Sequence, residues 1–268
     1  MFKLKKKVAI ITGGAGVLGS AMAMGLSKAG ARVGILSRTR KTVDIAVKNI
    51  QDMGGEALPL IASVLDKNQL LEAQKQVLSE WGTIDILVNC AGGNKPGATI
   101  RPDQQVFDLS MEDFDAVTDL NLKGTVLPTM VFGEVMAQQK RGCIVNISSM
   151  AAQQAITRVI GYSASKAAID NFTKWMAVEM AHKYGDGIRV NAIAPGFFIA
   201  DQNRRLLLQE DGSLTDRGKT IITNTPFKRF GQPEELVSTL LWLCSERSGF
   251  ITGIVVPVDG GFSAFSGV

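Results

Sequence analysis

Histidine and cysteine are scarce in this chain: His182 stands alone, and Cys90, Cys143 and Cys244 are the three cysteines among 268 residues. One histidine cannot anchor a His-based catalytic triad, and no companion ligands are visible, so no metal centre is expected. An odd number of widely spaced cysteines in apolar surroundings argues against a disulfide framework. They read as reduced core thiols of a cytoplasmic protein. No uninterrupted apolar run approaches the ~20 residues of a membrane span, so no membrane partner is expected. Lys3 to Lys7 followed by Val8 to Ile11 resembles the start of a signal peptide, but Thr12-Gly13-Gly14 ends the apolar stretch too early. The net charge of +4 rests on no basic stripe with interleaved aromatics. The Lys3–Lys7 run reads as a solvated terminus, and no nucleic-acid partner is expected. Linkers and low-complexity tracts are also missing, and 46% hydrophobic with 20% charged residues describes an ordinary globular protein. A single domain over residues 1–268 follows.

What is present is an alternation. Short apolar runs at Val8–Ile11, Ala31–Leu36, Ala57–Ile61, Ile84–Asn89, Cys143–Ile147, Ile188–Ile193 and Ile254–Val258 read as buried strands. Between them lie helical patterns at about Leu18–Ala29, Lys41–Met53, Lys67–Trp81, Asp113–Lys140 and from Tyr162 onward, with another from Pro233 to Leu243. This order predicts an α/β fold, a doubly wound, Rossmann-like parallel sheet with helices on both faces. Asn94–Leu109 reads as a loop. The stretch from Phe197 to Thr225 reads as irregular and polar, the signature of a lid or binding loop.

Two stretches carry chemistry. Thr12-Gly13-Gly14-Ala15-Gly16-Val17-Leu18-Gly19 joins the first strand to the first helix, where glycines let a pyrophosphate approach a helix N-terminus. The second stretch runs from Ile144 to Phe172. Ser149 follows a strand, and Tyr162 and Lys166 stand at i and i+4, sharing one helix face. A free phenol titrates near pH ~10. A neighbouring ammonium favours the phenolate and lowers that value, as a proton donor or acceptor requires. Ser149 is placed to hydrogen-bond an oxygen that gains charge. Taken alone, the Tyr–Lys spacing also fits a plain surface helix, just as Asn121 inside a helix fits a solvated side chain.

With these motifs in order, together with Asn89-Cys90-Ala91-Gly92, Asn121, Pro195-Gly196 and Asp259-Gly260-Gly261, the chain resembles the short-chain dehydrogenase/reductase family over nearly its whole length. The resemblance implies NAD or NADP as cofactor and a catalytic tetrad of Asn121, Ser149, Tyr162 and Lys166. Tyr162 would exchange the proton, and Lys166 would lower the Tyr162 pKa and bind the nicotinamide ribose. Ser149 would polarise the substrate oxygen, and Asn121 would hold a relay water. By the same resemblance the cofactor would lie against Gly13, Gly16, Val17, Leu18 and Gly19, then Ser37 and Arg38, then Ser63 and Val64. Asn89, Ala91, Gly92, Tyr162, Lys166, Pro195, Gly196 and Phe198 would complete its site. Three positions depart from the family pattern. Val17 replaces a glycine, with Gly16 one residue early; Ser63 replaces an aspartate; Ala200 replaces a threonine. Homotetramers are common among relatives, so the resemblance implies a homo-oligomer.

The end of the second strand carries Ser37 and Arg38 with Arg40 nearby, and no carboxylate to repel a 2′-phosphate, so NADP is expected to be accepted and modestly favoured. Asn89–Pro96, Asn191–Phe198 with Gln202-Asn203-Arg204, and Val256–Ser263 resemble the D-mannonate oxidoreductase (fructuronate reductase) subgroup, which pulls towards NAD. That resemblance implies a sugar-acid substrate, D-fructuronate or D-mannonate. Its carboxylate would be held by Arg204 above all, with Arg205 and Asn203 beside it in the lid, Asn94 and Lys95 in the loop after the fourth strand, and Arg158 a further candidate. The alternatives are an enzyme for another polyol or keto acid such as gluconate, a silent nucleotide-binding sensor, and a nucleic-acid binder.

Overall fold

The computed structural model describes residues 2–267, without the side chains of Asp201 and Gln202. Among the described residues, seven strands make one parallel sheet in the order β3-β2-β1-β4-β5-β6-β7. They are β1 Val8–Thr12, β2 Arg32–Ser37, β3 Ala57–Ile61, β4 Ile86–Asn89, β5 Gly142–Ile147, β6 Ile188–Pro195 and β7 Val255–Val258. Parallel pairing needs a crossover after each strand, and helices supply most of them: α1 Val17–Lys28, α2 Arg40–Asp52, α3 Lys67–Trp81, α4 Met111–Thr118, α5 Gly124–Gln139 and α6 Ile160–Tyr184. Successive residues of a strand point to opposite faces. Ala9 and Ile11 of β1 therefore pack with Met22 and Leu26 of α1, whereas Val8 and Ile10 pack with Leu70, Phe132 and Met176 on the other face. The alternation read from the sequence predicts this architecture, and the sheet has it.

Two segments differ from expectation. Asp113–Lys140 is not one regular helix: α4 and α5 are spliced by a π-helical turn, Asp119–Lys123, which carries Asn121. The stretch 197–225 is not irregular. It holds helices α7 Asp201–Leu207 and α8 Asp216–Thr223, closed on each other by an antiparallel bridge between Leu208 and Leu214. A small apolar cluster of Leu207, Ile221 and Phe230 gives this unit its own core. A final helix, α9 Val237–Cys244, covers the first face of the sheet.

In this strand order the chain reverses direction between β1 and β4. Ligands of open parallel sheets bind at that switch point, beyond the carboxyl ends of the strands. Thr12 and Asn89, paired across it, mark the spot.

Candidate active site

The hydroxyl of Thr12 accepts hydrogen bonds from the backbone N–H groups of Cys90 and Ala91, both at 3.1 Å. This locks the turn after β1 against the turn after β4. Gly13 sits at φ +64°, and a β-carbon there would lie 2.9 Å from Ala91 Cα. The Gly16 N–H donates to Gly13 O at 3.0 Å, and a β-carbon on Gly19 would collide with that same carbonyl. The turn closes on Gly16 as N-cap, with Val17 the first helical residue. Val17 borders a groove with Ser20, Ala46 and Pro233, so the displaced glycine leaves the Gly13–Gly19 approach intact. Around the rest of the cleft, Ser37 is half-buried and Arg38 exposed. Arg40 faces Asp44 at 3.9 Å. Ser63 donates its N–H to Gln69 Oε1 at 2.8 Å, and Val64 packs against Gly124. Gly196 lies so close to Asp259 that a β-carbon would come within 2.7 Å of its Cα. Tight glycines at a helix N-terminus, with room beside them, fit a dinucleotide. Phe198 fits less well: its ring is buried against Gly231 in the core, which leaves only its backbone for a cofactor.

Ser149 follows β5, its hydroxyl accepts from Ala151 N at 3.2 Å, and it lies near enough to the Tyr162 phenol to favour its ionised form. Tyr162 lies in the first turn of α6. Lys166, one turn further on, donates to Ile147 O at 2.7 Å and stands 5.5 Å from the Tyr162 ring centroid. Helix spacing thus puts Tyr162 and Lys166 one turn apart on α6, as the sequence predicts, and the end of β5 brings Ser149 beside Tyr162. The electrostatics run against the simplest expectation. Burial pushes the Tyr162 phenol up, partly offset by the nearby Ser149 hydroxyl. Burial also pulls the Lys166 ammonium down to about 8. Desolvation therefore outweighs the expected lowering of Tyr162 by Lys166. Cys90 is pushed up to about 11 by burial and stays a thiol at neutral pH.

Asn121 is fully buried beneath the loop after β4. Its Nδ2 donates to Gly93 O (2.7 Å) and Val117 O (2.8 Å), and its Oδ1 accepts from Gly93 N at 3.1 Å. Its backbone carbonyl accepts from Thr125 Oγ1 at 2.8 Å. These bonds make Asn121 the anchor of the loop that faces Lys166. Protein partners thus take up its side chain and one lone pair of its carbonyl, and the second lone pair remains available as an acceptor.

Above Ser149 and Tyr162 opens a cavity of about 620 Å³. Asn94, Lys95 and Arg101 form one wall, and Asn203, Arg205 and Arg217 of the 197–225 segment form the other. Asn94 gives Nδ2 to Thr99 Oγ1 at 2.8 Å, and its buried Oδ1 has no partner among the described residues. Lys95 faces Asp113 at 3.5 Å. Two expectations need correction. Arg204 is exposed and lies outside the lining, where its neighbour Arg205 stands instead. Asn203 borders the cavity, but its carboxamide is committed to Ala200 N and Phe198 O, both at 2.8 Å. Arg158 borders a neighbouring groove. Arg101 and Arg217 were not anticipated. Residues this far apart in sequence meet only through the fold, and no local spacing signals them.

A parallel sheet with a glycine-lined switch point and a Ser–Tyr–Lys set at its edge defines a short-chain dehydrogenase/reductase, and the comparisons agree. A family model described as enoyl-(acyl carrier protein) reductase matches residues 13–263, and the chain belongs to the short-chain dehydrogenase/reductase family. It is 47% identical to an uncharacterised oxidoreductase, UxuB, of Bacillus subtilis (strain 168), across 99% of this chain and 98% of that protein. A Haemophilus influenza structure, proposed to be a D-mannonate oxidoreductase and holding NAD, is 43% identical with TM-score 0.92, covering 99% of this chain and 98% of that one. A gluconate 5-dehydrogenase from Burkholderia cenocepacia J2315, in complex with NADP and tartrate, is 30% identical with TM-score 0.86, covering 98% and 97%. The protein is thus an NAD(P)-dependent oxidoreductase of this family.

Proposed function

We propose that the protein interconverts D-fructuronate and D-mannonate, by transfer of hydride and a proton between a sugar-acid ketone and its secondary alcohol. The observation that carries this reading is the cavity over Tyr162, where four cationic side chains, Lys95, Arg101, Arg205 and Arg217, surround a space with Ser149 at its floor. Cations suit a carboxylate, and the unpartnered Asn94 Oδ1 suits a sugar hydroxyl, since a buried acceptor without a donor is costly. The relative proposed to be a D-mannonate oxidoreductase supports the same substrate.

When bound, the nicotinamide supplies or takes up the hydride. Ser149 orients the substrate oxygen, and Tyr162 gives it a proton in reduction or removes one in oxidation. The raised Tyr162 pKa keeps the phenol protonated at neutral pH, ready to donate. Lys166, held on Ile147 O, places positive charge below Tyr162 as the phenolate forms. For the cofactor, Gly13, Gly16 and Gly19 would admit the pyrophosphate at the N-terminus of α1. Ser37 and Arg38 would meet the adenosine ribose, with NADP modestly favoured.

Gluconate is the second reading. An NADP-bound gluconate 5-dehydrogenase among the relatives matches both the acid-binding cavity and Arg38. Assaying hexuronates, aldonates and uncharged ketoses with NADH and NADPH, and in reverse with NAD and NADP, separates them. Fructuronate and mannonate should give the highest kcat/KM. Equal turnover of uncharged ketoses would refute acid recognition.

A further inference from the structure

Arg217, on α8, borders two spaces at once, the cavity above Tyr162 and the adjoining groove that also contains Arg158. Its guanidinium reaches 60 residues back along the chain. Nη1 donates to Thr157 Oγ1 and Nη2 to Thr157 O, both at 3.3 Å. Both bonds are long, and they use two of five donors. Arg158, the next residue, is held at φ +77°, a left-handed conformation unusual for a bulky side chain. Among the described residues neither arginine has a carboxylate partner within ion-pair distance, although eleven such pairs occur elsewhere in the molecule. Asp216 lines the same groove but faces Lys219 at 3.3 Å, so two neighbouring guanidiniums without an ion-pair partner, one of them bordering the cavity above Tyr162, leave a place for an anion.

We propose that Arg217, reinforced by Arg158, receives the substrate carboxylate and thereby ties helix α8 to the segment between Ser149 and Tyr162. This inference rests on the acid-substrate reading above and assigns the acid-binding role to these two residues. Burial and the repulsion of Arg158 both work against the charge on Arg217, and an anion between them offsets both penalties. The planar fork of Arg217 matches a carboxylate edge-on. An acid of the right length spans from this pair to the Ser149–Tyr162 floor, presenting its ketone to the proton donor. An uncharged ketose leaves only the two long Thr157 bonds to tie α8 to this segment.

The test compares wild type with Arg217→Ala, Arg217→Lys, Arg158→Ala and Arg204→Ala. The readouts are kcat and KM for D-fructuronate and D-gluconate, cofactor Kd, and thermal midpoint. Loss of one charge-assisted fork should raise KM for the acid ~10- to 100-fold in Arg217→Ala. Cofactor Kd should stay within about twofold. Arg217→Lys should recover part of the loss, Arg158→Ala should show a smaller rise in KM, and Arg204→Ala should match wild type. An unchanged KM in Arg217→Ala overturns the proposal. So does a loss shared equally by cofactor affinity and thermal midpoint, which would make Arg217 structural. If wild type turns over gluconate and not fructuronate, and Arg217→Ala loses it, the sugar assignment fails and the carboxylate site stands. If wild type prefers uncharged ketoses, both fail.

Discussion

Gly92 offers a sharp test of how the catalytic floor is held, because its surroundings fix the expected result. It lies on the exposed side of the loop after β4, and its backbone is not in the left-handed region, so alanine brings no intrinsic strain there. A β-carbon on Gly92 would nonetheless lie 2.7 Å from Asn121 Oδ1 and 3.4 Å from Lys166 Nζ. Ordinary contact begins at 3.4 Å, so the Asn121 oxygen must give way by 3.4 − 2.7 = 0.7 Å. That oxygen accepts from Gly93 N at 3.1 Å, and Asn121 Nδ2 bonds Gly93 O and Val117 O. A shift of this size breaks the weakest of the three and strands a buried donor, at ~1–3 kcal/mol. At ~2–4 °C per kcal/mol for a domain of this size, the thermal midpoint of Gly92→Ala should fall by several degrees. The same methyl meets the Lys166 ammonium only at ordinary contact distance, so the shift falls on Asn121 and the loop it anchors beside Lys166, and kcat should fall by ~10-fold. Differential scanning fluorimetry and steady-state kinetics on D-fructuronate read the two effects. A variant with wild-type midpoint and wild-type kcat would refute the packing argument.

Tyr162→Phe should lower kcat ~10²-fold or more and leave cofactor Kd within about twofold, because it removes the general acid and little else; wild-type turnover would take Tyr162 out of the mechanism. Arg38→Ala should raise KM for NADP more than for NAD, since only NADP presents a phosphate to the guanidinium; equal changes would reject Arg38 as the discriminating residue. The Lys166 ammonium, pulled down to about 8 by burial, should lose its charge as pH rises through that value. Ketone reduction should then decline above about pH 8, and Lys166→Arg, which stays charged, should move that limb upward. Stability runs the other way. A lysine with a lowered folded pKa binds fewer protons in the native state, so its burial penalty is present below about pH 8 and is relieved as pH rises from there towards the unfolded value of 10.5. Thermal melts of wild type and Lys166→Met over pH 7–10 would show the difference between them narrow; a constant gap would contradict the burial argument.

What could be read from the sequence depended on how local the cause was. The Tyr162–Lys166 pair is fixed by neighbours within one turn of helix, and the Gly13–Gly19 turn announces itself by its glycines although its seat against Ala91 is long-range. The sign of the Tyr162 shift was not legible, because burial is a property of the whole fold. The π turn at Asn121 was hidden inside a pattern that reads as one helix from Asp113 to Lys140, since one widened turn hardly disturbs apolar periodicity. Helices α7 and α8, of 7 and 8 residues, are too short to impose a period, so a polar stretch looked irregular. The choice between Arg204 and Arg205 turned on helix phase. Adjacent residues of an α-helix point about 100° apart; Arg205, Leu206 and Leu207 border the cavity and Arg204 does not, a phase that a helix of 7 residues does not announce in its sequence.

Behind the catalytic side chains lies a feature that explains why the floor is rigid while the wall opposite is built from short helices. Asn89 and Asn146 are paired in register across β4 and β5. Asn89 Nδ2 donates to Asn146 Oδ1 and to Thr129 Oγ1, and Asn146 Nδ2 donates to Thr173 Oγ1, each at 2.9 Å. This chain of side chains ties β4 and β5 to α5 and α6 directly beneath Ser149 and Tyr162. Polar groups this deeply buried are stabilising only when nearly every donor and acceptor is paired. Asn89 Oδ1 alone of this set is left without a partner among the described residues. The floor is thus held by bonds that a substrate does not have to make. On the opposite wall Arg217 has only two long bonds to Thr157, both at 3.3 Å, and no carboxylate partner among the described residues. On the acid-substrate proposal, changes in the 197–225 segment should alter which acid is accepted while proton transfer at Tyr162 persists; a segment variant that loses turnover of every substrate alike would refute that division.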